Sequence, residues 1–139
     1  MAEFQFRLQR VLEYRQLAEG WAKDAYLEAR SARLDALDGL DRIELHRGGL
    51  LRSPVKTVDD RLAMQSFLNK LEDDERHQRI VIGELEQDEA KRKTEWTERR
   101  RDVQALEKLR DKAHAEWQVE ANRQEQKELD DWTTTRRAA

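Results

Sequence analysis

Residues 64–117 read MQSFLNKLEDDERHQRIVIGELEQDEAKRKTEWTERRRDVQALEKLRDKAHAEW. Alternating steps of four and three from Met64 select Leu68, Leu71, Glu75, Gln78, Ile82, Leu85, Glu89, Arg92, Trp96, Arg99, Val103, Leu106, Arg110, Ala113 and Trp117. Most of these are apolar, and the phase never slips. A stripe repeating every 3.5 residues is the seam of a supercoiled helix and needs a partner helix along its length.

The partner lies upstream. Phe4, Leu8, Val11, Arg15, Ala18, Ala22, Ala25, Ala29, Ala32 and Ala36 follow the same spacing. The six alanines among them let two backbones approach closely. Tyr14, Leu17, Trp21, Leu27, Leu34 and Leu37 flank that seam. Between the stripes, Gly48, Gly49, Ser53 and Pro54 gather the helix breakers. Pro54 lacks an N–H and disfavours helix in the residue before it. Thr57-Val-Asp-Asp60 then reads as a capped helix start, with acids at the positive end of the dipole.

These signals predict an all-α fold: a long two-helix antiparallel coiled-coil hairpin. The helices are expected at about 4–47 and 58–132, with a turn at about 48–57 and a frayed tail at 133–139. Residues 1–139 form one coiled-coil domain in this reading. A tight turn sets Phe4 opposite residues 100–105, so the C-terminal helix overhangs from about Leu106 and carries an apolar face without cover. Polar seam residues such as Glu75 and Glu89 are expected to fix register at some cost in stability.

Composition agrees. Ala, Glu, Lys, Leu and Arg supply 76 of 139 residues, above the roughly half that marks long helices. Leu, Ile, Val and Phe supply only 29, too few for a thick core. The net charge of −3 and the acids interrupting the basic run at 91–101 argue against nucleic acid as partner. Without Cys there are no disulfides or thiolate metal sites. His46, His77 and His114 form no metal-binding pair, and no phosphate-cradling loop is present, so neither enzyme activity nor a cofactor or metal is expected. No apolar run suits a signal peptide or membrane span, which makes a cytoplasmic location the expectation.

The ends resemble a known family. Phe4-Gln-Phe-Arg-Leu-Gln-Arg-Val-Leu-Glu-Tyr-Arg15 is similar to the opening of the bacterial flagellar export protein FliJ, usually Phe-x-Phe-Arg-Leu and then Val-Leu-x-x-Arg. Ala105-Leu-Glu-Lys-Leu-Arg110 and Glu125-Gln-Lys-Glu-Leu-Asp-Asp131 resemble its C-terminal segments. Asp131, in place of the common Glu, and Trp132 depart from the pattern. The resemblance implies a stalk similar to the γ-subunit coiled coil of rotary ATPases. It implies as partners a FliI-like hexameric export ATPase, an FlhA-like export gate and export chaperones, with peripheral association at the inner membrane.

By the same resemblance, a gate-binding patch falls on Leu40, Ile43, Phe67 and Leu71. The ATPase-facing end falls on Phe4, Phe6, Leu8, Arg99, Arg100, Arg101, Leu106, Leu109, Trp117, Leu129 and Trp132. Weak self-association through the overhang is a further expectation. The alternatives are the equivalent stalk of a virulence-type secretion system, a generic coiled-coil tether and, less favoured, a nucleic-acid-binding helical hairpin.

Overall fold

A computed structural model describes residues 3–138 as two helices, α1 at Gln9–Arg52 and α2 at Val58–Ala138, with no strand among the described residues. The helices pack against each other as an antiparallel hairpin. Residues 3–6 are extended ahead of α1, and Gln9 N donates to the Phe6 carbonyl at 3.1 Å as the helix begins.

The turn lies later than the glycines suggest. Gly48 and Gly49 are helical, and α1 runs on to Arg52 instead of ending near residue 47. A glycine in a helix costs only about 1 kcal/mol, which leaves termination to Pro54 and its effect on Ser53. The Ser53 hydroxyl donates back to the Gly49 carbonyl at 3.1 Å. Thr57 caps α2 as its sequence indicates, accepting from Asp60 N at 3.0 Å. At the far end α2 continues past residue 132 to Ala138.

Contacts gather into two units, one joining residues up to Gly20 with Thr97 and beyond, the other comprising Trp21–Trp96. In the second, tip-bearing unit the pairing follows a ladder. The Tyr26 and Trp96 rings stack with centroids 5.5 Å apart. Seven residues along α1 and seven back along α2, Arg33 bridges Glu89. Another seven brings Leu40 beside Ile82 in a core cluster with Ala36. A further seven joins Arg47 to Glu75 at 2.7 Å. A constant step of seven in opposite directions is the 3.5-residue seam in three dimensions.

The α2 seam lies where its spacing places it, since only Arg92 and Arg99 of that stripe are exposed. The α1 seam needs correction. Leu8, Arg15, Ala22, Ala29 and Ala36 face inward, but the second inward row is Leu12, Glu19, Tyr26, Arg33, Leu40 and Arg47. Leu12 has no exposed surface, whereas Val11 is exposed. The alanines at 18, 25 and 32 lie half-buried on the flank, beside the row that packs.

In the other unit, Leu12 and Val103 are buried and Arg15 meets Asp102 at 3.1 Å. Phe4 reaches His114 and Trp117, further along α2 than the 100–105 expected. The overhang therefore starts later than Leu106. From Asn122 to Ala138 every residue is exposed.

Candidate protein-binding surfaces

At the tip, Arg47 lies five residues from the end of α1, while its partner Glu75 lies seventeen from the start of α2. Residues 54–56, neither helix nor strand, join the two helices. In the first turns of α2, Val58, Leu62 and Phe67 are exposed, Phe67 at 55%. Leu51 and Leu68 line a groove with Gln65, Asn69 and Glu72.

The four residues assigned to a gate-binding patch separate here. Phe67 faces solvent and Ile43 is half-buried. Leu40 and Leu71 are interior, Leu71 only 7% exposed. As surface residues these two are corrected. Leu40 belongs to the second inward row of α1, and the later turn draws Leu71 into the paired region.

Electrostatics reinforce the same pairing. Glu75 accepts from Arg79 at 2.8 Å on its own helix and from Arg47 across the pair. The Arg79 hydrogen bonds, aided by the Arg47 charge, outweigh desolvation and hold the Glu75 carboxyl below the usual carboxylate range. The hydrogen bond to Glu89 likewise raises the Arg33 guanidinium above its ordinary value. Sequence reasoning found the two glutamates and missed both arginines. The signal was there: steps of seven from Leu12 pass through Tyr26, Arg33, Leu40 and Arg47.

At the terminal unit, the extended N-terminal segment lays Phe4 edge-on to the His114 ring at 5.0 Å and 5.9 Å from Trp117. Phe6 and Leu8 line a groove with Leu109, Ala113 and Glu116. Phe4 and Trp117 are thus in ring contact, and Phe6, Leu8 and Leu109 line one groove. Leu106 is half-buried on α2, and Arg99, Arg100 and Arg101 are exposed. Leu129 and Trp132 stand apart on the single-helix stretch, where the Arg136 guanidinium lies 5.1 Å from the exposed Trp132 ring. Cation–π contact of this kind steadies the indole without covering it.

This arrangement offers surfaces for macromolecules. Among the described residues no group of three or more His, Asp or Glu side chains is gathered for a metal ion, and no helix is long and apolar enough to cross a membrane. A family profile described as Flagellar FliJ protein matches residues 4–138. The chain belongs to the FliJ family. FliJ proteins are components of flagellar type III protein export, and a helical hairpin suits that assignment. The match runs from the extended segment holding Phe4 to the last turn of α2. No curated protein and no solved structure gave a significant match.

Proposed function

We propose that this FliJ-family chain is a non-enzymatic stalk of the flagellar export apparatus, coupling the hexameric export ATPase to the membrane export gate and handling export chaperones. In this reading it works from the cytoplasm, peripherally associated with the gate. The observation that carries the reading is the exposure of apolar side chains in two places, Val58, Leu62 and Phe67 in the first turns of α2 and Leu129 and Trp132 in its last turns. Exposed aromatic and aliphatic anchors on rigid elements are what a protein partner buries.

The stalk hydrolyses nothing. It biases a ring or gate only by binding some of its states better than others. A single chain against a six-fold ring breaks the ring's symmetry, which is how one stalk couples to sequential hydrolysis. The test is affinity capture with the tagged chain from a lysate of its flagellated host, read by mass spectrometry. Recovery of the export ATPase and the gate supports the reading; recovery of neither contradicts it.

A further inference from the structure

The ladder in the Trp21–Trp96 unit alternates in chemistry as well as repeating in space. Its layers run aromatic, ionic, aliphatic, ionic: Tyr26 on Trp96, Arg33 on Glu89, Leu40 on Ile82 and Arg47 on Glu75. We propose that this order locks the unit in one register, so that the tip does not relay signals by one helix sliding past the other.

The argument is a comparison of neighbouring registers. Coiled-coil helices slip most readily by whole heptads, because the inward stripe is then preserved. Sliding α2 by seven residues one way sets Arg33 on Trp96, Leu40 on Glu89 and Arg47 on Ile82. Sliding it the other way sets Tyr26 on Glu89, Arg33 on Ile82, Leu40 on Glu75 and Arg47 on Leu68. The first sets Glu89 on Leu40 and carries Glu75 past the end of α1; the second sets Glu89 on Tyr26 and Glu75 on Leu40. In both, Arg33 and Arg47 lose the carboxylates they now face, Glu89 loses its arginine and Glu75 keeps only Arg79 of its own helix. The Glu75 and Glu89 side chains are only 14% and 16% exposed, so water cannot fully replace the cross-helix arginines they lose.

A second device acts between the layers. Gln78 donates from Nε2 to the Ala36 carbonyl at 2.8 Å, and a Cβ on Gly39 would come within 3.0 Å of that nitrogen. In the slipped registers Gln78 meets Ala32 or His46 where Gly39 now lies, and the recess is gone. The glycine and the alternating layers therefore select the same register independently. Sliding of one packed helix past another is a known route of signal transfer, and these residues oppose its whole-heptad form, whatever binds the tip.

The chain has no cysteine, so nitroxide labels can be attached at Arg30→Cys and Lys70→Cys on exposed positions. Pulsed electron resonance on the full chain, diluted with unlabelled protein, reads the distance between them. A one-heptad slip moves it by about 10 Å. One distance population is expected in the otherwise native chain. Two variants remove the alternation from opposite sides: Arg33→Leu, Glu89→Leu, Arg47→Leu and Glu75→Leu together make the layers apolar, while Leu40→Arg with Ile82→Glu makes them ionic. A second population about 10 Å away in whichever variant keeps its helicity supports the lock. Two populations in the native chain, or one unshifted population in both variants, overturns it. Loss of helicity in both also overturns it, since the layers would then be setting folding instead of register.

Discussion

The side-chain amide of Gln78 crosses the helix pair to bond the Ala36 carbonyl at 2.8 Å, and it does so beside Gly39, the one glycine whose missing Cβ leaves room for it. Gly39→Ala gains about 1 kcal/mol of helix propensity and displaces an amide whose bond contributes about 1 kcal/mol. A net change near zero in the urea midpoint is expected. At Gly83 an added methyl would meet nothing within 4 Å, so Gly83→Ala should stabilise by about 0.8–1 kcal/mol. Equal gains at the two sites would remove the Gln78 explanation, and in a Gln78→Ala background the Gly39→Ala gain should return.

Leu71 and Phe67 lie one helical turn apart with opposite fates. Leu71→Ala empties a buried position and should cost about 2 kcal/mol, the low end for a core leucine because the interface is one helix deep. Phe67→Ala should change stability by no more than about 0.5 kcal/mol. Thermal melts of the two single variants check this, and a large loss for Phe67→Ala would mark it as core.

Much of this is legible from spacing. The α2 stripe from Met64 to Trp117 needs only its period, because ten of its sixteen positions are apolar. The α1 stripe is half legible. Ala18, Ala25 and Ala32 draw the seam toward themselves because they are apolar, yet Tyr26, Arg33 and Arg47 occupy the packed row. An arginine reads as surface until the glutamate opposite it is known. That partner depends on where the hairpin turns. With the turn drawn at Gly48-Gly49, Leu40 and Leu71 read as tip surface and Phe4 falls short of Trp117. Pro54, acting through Ser53, moves Leu71 and Phe4, and the second inward row of α1 takes in Leu40.

Stability should fall in acid through Glu75. Its folded carboxyl titrates lower than in the unfolded chain, so its contribution is complete above the unfolded value near 4.3 and is lost as pH drops through the folded value. The stability difference between the native chain and Glu75→Gln should be constant from pH 7 to about 5 and shrink toward pH 3. A difference that grows on acidification would show that the carboxylate is not held by Arg79 and Arg47.

Phe4 anchors the N-terminal segment on His114 and Trp117. Phe4→Ala should release it at a cost of about 1 kcal/mol, the scale of an aromatic pair. Hydrogen exchange should speed up in the first turns of α1 and remain unchanged around Leu40 and Ile82. Uniform acceleration in both places would mean the contact supports the whole hairpin.

The central claim, that the first and last turns of α2 engage different partners, is tested most directly by capturing partners with two full-length variants. One replaces Leu62 and Phe67 by Ala; the other replaces Leu129 and Trp132 by Ala. With helicity intact by circular dichroism, the first should retain the export ATPase and lose the gate, and the second should retain the gate and lose the ATPase. Loss of both partners from either variant, or of neither from both, would contradict the account.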